Sequence, residues 1–206
     1  MKRIIILISG NGSNLQAIIN EIQHKKLDSK IIAVISNRKN AYGLIRARNN
    51  NIKTEYLPFI SSKITRNDYD LLLQNTINNY KPELIVCAGW MHVLSSTFIN
   101  YFNQQRVPII NLHPALPNMI PGKNSISDAL ILYKQNKIKN TGIMVHHVIP
   151  EIDAGSVITT QIVKIYKNDS INDLKARIQY FEKQTLITAI KNIMSNYQFL
   201  KKGKVR

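Results

Sequence analysis

Residues 4–19 read IIILISGNGSNLQAII, and their interpretation decides the fold. Ile4 to Ile8 form an unbroken apolar run, β-branched except at Leu7, the pattern of a strand buried on both faces rather than one with a wet side. Leu15, Ile18 and Ile19 then recur at helical spacing, so a helix begins near Ser13. Gly10, Asn11, Gly12, Ser13 and Asn14 lie where strand passes to helix. Backbone N–H groups and the positive end of the helix dipole converge at such a junction and favour an anion. A dinucleotide fingerprint would need glycine at position 15 and an acidic residue closing the next strand. Leu15 stands at the first, and the second strand runs out into Ser36, Asn37 and Arg38. No GK[ST] follows, which excludes a P-loop. A phosphomonoester suits the loop; the same residues also suit a tight turn with Ser13 capping the helix.

Outward from this junction the chain keeps alternating. Short apolar runs at Ile31 to Ser36, Leu84 to Ala88 and Val107 to Ile110 are punctuated by Gly, Asn or Pro. The reading predicts strands near residues 3–8, 30–35 and 52–56, then through ELIVCAG, VPIINLHP and TGIMVHHV, with IDAGSVITTQIVKI as a turn and a further strand open to antiparallel pairing. Helices are expected from Ser13 to Ile22, near 41–49 and 67–78, through DALILY, and from Ile171 to about Met194. This order predicts an α/β fold with an open, mostly parallel, doubly wound sheet and helices on both faces. A chain of 206 residues is long enough for one sizeable core, so a single domain, 1–206, is expected.

The formal charge of +16 invites a nucleic-acid partner. The basic residues are scattered, however, and Lys, Ile and Asn are used heavily throughout, as AT-rich codon bias would produce. The one dense group, Lys201, Lys202, Lys204 and Arg206 in a basic tail 200–206, reads as a solvated terminus. No nucleic-acid partner is expected. No run approaches the roughly 18 apolar residues of a membrane span, and the basic start leads into a stretch too short for a secretory signal. The expectation is a cytoplasmic protein with no membrane contact, monomeric or weakly dimeric. The single cysteine, Cys87, ends an apolar strand and reads as a buried, inert thiol.

In an open parallel sheet, ligands bind outside the carboxyl ends of the strands. INLHP puts Asn111 and His113 at such an end, and with a period of two both side chains leave the same face. An amide donor beside an imidazole suits an oxyanion site with a neighbouring proton carrier; a histidine before proline also serves as a structural hydrogen-bonder. Asp153, in PEIDAG, lies in the turn after the sixth strand. A carboxylate near His113 would favour the imidazolium and set its tautomer, and an Asx-type turn before Gly155 is the alternative. His146 and His147 alternate along their strand and read as core or supporting groups. No His and carboxylate set has metal-ligand spacing, so no metal is expected.

LISGNGSNLQAI, CAGWMHVLS, INLHP and EIDAG, in this order over nearly the whole chain, closely resemble the phosphoribosylglycinamide formyltransferases, the folate-dependent transformylases of purine synthesis. The resemblance implies a Rossmann-like formyltransferase fold and transfer of a formyl group from 10-formyltetrahydrofolate to the amine of glycinamide ribonucleotide. It implies that Gly12, Ser13 and Asn14 hold the ribotide phosphate and that Asn111, His113 and Asp153 are the catalytic set. Arg66 in TRNDYD, the segment Met91, His92, Val93 and Leu94, and Ile149 and Glu151 match folate-binding positions. Gln179 and Glu182, three apart on one helical face, match positions near the ribose and amine. The chain departs from the family pattern at Ala115, which lacks a hydroxyl, at His92, where arginine is common, at Asn124, where histidine is common, and in a shifted proline and a short terminus after the last helix. A formyltetrahydrofolate hydrolase would use the same Asn, His and Asp without needing a ribotide loop, and resembling hydrolases carry an extra amino-terminal domain. A tRNA formyltransferase adds a carboxyl-terminal RNA-binding domain. A non-catalytic RNA-binding protein would suit the charge but leaves the three polar residues unexplained.

Overall fold

The computed structural model describes the backbone of residues 1–202 and the side chains of residues 1–195. Lys204 and Arg206 of the expected basic tail, and the side chains of Lys201 and Lys202, lie outside the described residues. In chain order the elements are β1 (Lys2–Ile8), α1 (Ser13–Gln23), β2 (Ser29–Ser36), α2 (Tyr42–Asn49), β3 (Thr54–Tyr56), α3 (Arg66–Asn79), β4 (Leu84–Cys87), α4 (Ser96–Gln104), β5 (Ile109–His113), α5 (Ser125–Lys134), β6 (Asn140–His147), β7 (Val157–Lys164) and α6 (Ile171–Lys202). The strands form a seven-stranded sheet in the order β3-β2-β1-β4-β5-β6-β7. β1 pairs in parallel with β2 and β4, β2 with β3, and β4 with β5, whereas β6 and β7 are antiparallel. The expected α/β, mostly parallel sheet is the observed one, with its antiparallel strand at the β7 edge. Among the described residues no helix is long and apolar enough to cross a membrane.

Ile4 to Ile8 are all at 0% exposure, so β1 is covered on both faces, as its unbroken apolar run requires. Each such side chain contributes about 1.5–3 kcal/mol of hydrophobic free energy relative to an exposed one. α3 opens on Thr65, whose hydroxyl accepts the Asp68 amide and donates to the Asp68 carboxylate, a reciprocal cap.

The sequence reading omits α4. Its stretch STFINYFNQ is rich in aromatic and β-branched residues of middling helix propensity, and the signals that mark it are local. Ser95 caps it by accepting the Phe98 amide, and Phe98, Ile99 and Phe102 are the buried face.

The chain divides into two compact units: Met1–Asn111 with His147–Gly155, and Leu112–His146 with the chain from Ser156 onward. In the first, Ile5, Leu7, Tyr69, Leu73, Phe98 and Ile109 belong to one buried core. In the second, α6 packs on β7 and α5. Asp169 and Arg177 form a two-pronged ion pair just before and within α6.

Candidate active site

Within the first unit, the carboxyl ends of three adjacent strands lie in register, Leu7 of β1 beside Cys87 of β4 and Cys87 beside Asn111 of β5. The segments leaving these ends are tied together. The Ser9 amide donates to the Gly89 carbonyl at 2.9 Å. The Ser9 hydroxyl donates to Asn37 Oδ1 at 2.8 Å and accepts the Met91 amide at 2.9 Å. One buried hydroxyl thus joins the loop after β1, the end of β2 and the 91–94 segment.

The loop after β1 turns through Gly12 at φ 74, ψ 30, a left-handed conformation that glycine adopts without the Cβ penalty. Gly12 is the N-cap of α1 and no side chain caps that end, so Ser13 does not play the capping role the sequence also allowed. The first intrahelical bond runs from the Gln16 amide to the Gly12 carbonyl at 2.9 Å. The amides of Ser13 and Asn14 precede it and face the anion-attracting end of the helix. α2 abuts this loop. The Gly43 amide donates to the Gly10 carbonyl at 3.1 Å, and a Cβ on Gly12 would stand 2.6 Å from the Gly43 Cα.

Asn111 Nδ2 donates to Asp153 Oδ1 over a long 3.4 Å. Asp153 sits at φ 54, a conformation few non-glycine residues adopt. The turn is made at Asp153, and its carboxylate reaches Asn111 at the strand end. The turn is anchored where the Val148 amide donates to the Ile109 carbonyl at 2.8 Å. In the same stretch Ile149 is half-buried and Glu151 exposed.

In the 91–94 segment, Met91 and Val93 are exposed and Leu94 is buried. The His92 imidazole, only 5% exposed, turns inward onto Asp70 of α3, Nε2 to Oδ1 at 2.7 Å. The other Asp70 oxygen accepts the Ser95 amide at 2.6 Å. Phe59 and Tyr69 flank the His92 ring. This side chain fastens the segment to α3 and presents almost none of its imidazole to solvent. Arg66, the first residue of α3, is exposed. Burial pushes the Cys87 thiol up to about 12, so it stays protonated and unreactive near neutral pH.

In the second unit His113, 5% exposed, donates from Nε2 to the Ile120 carbonyl at 2.7 Å. A carbonyl only accepts, so Nε2 carries a proton. Ala115 is fully buried and Asn124 is the N-cap residue of α5. Gln179 and Glu182 of α6 differ in environment, the first exposed and the second buried, because the face of α6 that packs on α5 and β7 takes in one and not the other. His146 is buried and His147 half-buried, as core or supporting groups.

The structure thus brings Asn111 and Asp153 together and sets the loop after β1 beside the 91–94 segment. Three residues that hold this arrangement were not singled out from sequence: Ser9, Arg46 and Asp70. Ser9 carried a signal as a polar residue ending an apolar strand, and so did Asp70, an acid beside the buried positions Tyr69, Leu73 and Ile77. Arg46 lies on a helix whose loop contacts depend on tertiary packing.

The site combines an open, mostly parallel sheet, a glycine loop after its first strand and an Asn and Asp pair at a later strand end. Residues 2–190 match the family model described as formyl transferase. The phosphoribosylglycinamide formyltransferase of Dictyostelium discoideum is 45% identical over 197 residues, covering 91% of this chain and 96% of that protein. That of Escherichia coli is 39% identical over 176 residues, covering 85% and 79%. Among solved structures, glycinamide ribonucleotide transformylase 1 from Symbiobacterium toebii superposes with a TM-score of 0.84 at 31% identity, covering 92% of this chain and 86% of the other. The Coxiella burnetii phosphoribosylglycinamide formyltransferase, in complex with CHES, gives 0.80 at 38% identity, covering 91% and 85%. The chain belongs to the formyl transferase family and, within it, to the phosphoribosylglycinamide formyltransferases.

Proposed function

We propose that this protein transfers the formyl group of 10-formyltetrahydrofolate to the amine of 5′-phosphoribosylglycinamide, a step of purine (IMP) biosynthesis. Residues 1–206 act as one formyltransferase domain, since a single family model spans parts of both compact units. What supports the reading most is the hydrogen-bonded frame through Ser9, which sets the loop of Gly12, Ser13 and Asn14 beside the 91–94 segment at the strand ends that carry Asn111.

The amine attacks the formyl carbon, a new C–N bond forms, and negative charge grows on the formyl oxygen. Asn111 and His113, two residues apart on β5, meet that charge as donors. As the intermediate collapses, the bond to the folate nitrogen breaks and the proton lost by the amine passes to that nitrogen. Asp153, hydrogen-bonded to Asn111, assists this proton movement. The chemistry asks for oxyanion donors and a proton carrier, not a metal. Gln179 and Glu182 serve the ribose and amine; Arg66, Met91, Val93, Leu94, Ile149, Glu151 and the backbone of His92 serve the folate. The substrates are small molecules, the positive charge is given no nucleic-acid partner, the protein acts in the cytoplasm, and it is a monomer or weak dimer.

The test is an assay with 10-formyltetrahydrofolate and three acceptors offered separately: glycinamide ribonucleotide, initiator tRNA and water. Formylated ribotide alone is expected. Formyl-tRNA, or formate release with an inert ribotide, would sink the assignment.

A further inference from the structure

Arg46 of α2 stands against the loop after β1, and its guanidinium grips one residue twice. Nε donates to the Asn11 carbonyl at 2.9 Å and Nη2 to Asn11 Oδ1 at 3.1 Å. Nη1 reaches Gln16 Oε1 in the first turns of α1 at 3.4 Å. The guanidinium carbon lies 4.9 Å from the centre of the Tyr42 ring, one helical turn earlier, so the fork is stacked as well as hydrogen-bonded. Asn11 is the residue between Gly10 and Gly12. Two of the three residues in this Gly-Asn-Gly segment are glycines, which have more backbone freedom to lose than other residues, and contacts from α2 hold its shape.

We infer that Arg46 is a positioning residue for the ribotide phosphate, a fork that holds the Gly10–Asn14 loop in its anion-binding shape. This rests on the proposed reading of that loop as a phosphate cradle. The argument is geometric. Gly43 and Arg46 lie one turn apart on α2, the first accepting the close approach of Gly12 and the second clasping Asn11. Together they fix the residues on either side of the turn from which the Ser13 and Asn14 amides project. A guanidinium suits the task because its planar donors engage a backbone oxygen and a side-chain oxygen of one residue at once. A lysine ammonium carries the same charge but has no such fork. Pre-shaping the loop removes an ordering cost from ribotide binding.

The experiment compares wild type, Arg46→Lys, Arg46→Ala and Asn11→Ala in steady-state kinetics, with inorganic phosphate titrated against the amide NMR signals of Ser13 and Asn14. Arg46→Ala and Arg46→Lys should both raise the ribotide KM about tenfold or more, the size expected when charge-assisted bonds that pre-organise a site are lost. The folate KM and kcat at saturating ribotide should stay near wild type. Asn11→Ala, which keeps the backbone acceptor, should fall between. Melting curves identify variants that are merely unfolded, and if Arg46→Ala is one of them, Arg46→Lys and Asn11→Ala carry the comparison. A lysine variant with wild-type ribotide KM would overturn the inference, because charge without the fork would then suffice. Equal phosphate shifts in wild type and Arg46→Ala would overturn it too. If phosphate moves no loop amide in wild type, the phosphate reading itself fails and the inference with it.

Discussion

Replacing Gly12 by alanine separates two costs that the structure allows to be worked out. The first is conformational: at φ 74 an L-residue with a Cβ pays roughly 1–2 kcal/mol. The second is overlap, since the new Cβ would lie 2.6 Å from the Gly43 Cα and 3.4 Å from the Gly43 nitrogen. Those are backbone atoms of a helix whose own amide is bonded to Gly10, so relief requires α2 and the loop to part, at about 1–3 kcal/mol for an overpacked contact. The sum is about 2–5 kcal/mol, or a fall in melting temperature of about 4–20 °C for a protein of this size. Two glycines nearby calibrate it. Gly89 has φ +77 and open space, so Gly89→Ala should show the conformational cost alone, about 2–8 °C. Gly10 meets nothing within 4 Å and has no positive φ, so Gly10→Ala should lie within about 0.5 kcal/mol of wild type. Thermal melts rank the three. Gly12→Ala should in addition raise the ribotide KM at least about tenfold while leaving the folate KM unmoved. A Gly12→Ala protein that melts with Gly10→Ala and keeps its ribotide KM would refute the reasoning.

Asn111→Ala and His113→Ala should each lower turnover at least about a hundredfold with folding retained, and a well-folded variant near the wild-type rate would remove that residue from the catalytic set. Asp153→Asn should bind both substrates nearly normally and lose most of its turnover; a well-folded variant at the wild-type rate would return Asp153 to a turn-forming role alone. The paired guanidinium of Arg177 holds the Asp169 carboxyl below its ordinary value, with the Tyr166 amide helping. Its contribution is present above the unfolded carboxylate pKa of about 3.9 and is lost as pH falls through the depressed folded value. Urea melts at pH 7 and pH 3 should therefore show Asp169→Asn less stable than wild type at pH 7, with the gap narrowing at pH 3; a gap that persisted would mean the ion pair is not the source.

What the sequence made legible was whatever depends on residues close together in the chain. The strand, glycine loop and helix at residues 4–19, the alternation of elements and the polar strand ends at Asn111 and His113 are all local patterns, and each was found where expected. The edge strand β7, left open to antiparallel pairing by its sequence, is antiparallel to β6 and half-covered, with Ile162 exposed and Val163 buried. The missed helix α4 shows the opposite case, a segment whose propensity is middling and whose packing decides. The missed residues Ser9, Arg46 and Asp70 act across the fold. Ser9 and Met91 are 82 positions apart, Arg46 and Asn11 are 35, and His92 and Asp70 are 22, so no spacing rule connects them. The role of His92 was also hidden for this reason: a motif match assigns a position to a ligand but cannot say whether side chain or backbone is presented to it.

The departures from the family pattern follow a physical logic once their surroundings are known. At Ala115 the side chain is fully buried, and a methyl group there needs no hydrogen-bond partner, whereas a hydroxyl would need one or cost about 1–3 kcal/mol. At position 92 the imidazole stands opposite the Asp70 carboxylate, keeping a donor where arginine is common. Without any donor the buried carboxylate would retain only the Ser95 amide, and a half-satisfied buried acid is costly. Asn124 contributes through its backbone, its carbonyl accepting the Asp128 amide and the Ser127 hydroxyl at the head of α5, and no side-chain cap is made. In each case the changed side chain answers to a requirement of packing or backbone pairing that the new residue meets. Asn111, His113 and Asp153, the residues proposed to face the reaction, are not among these departures.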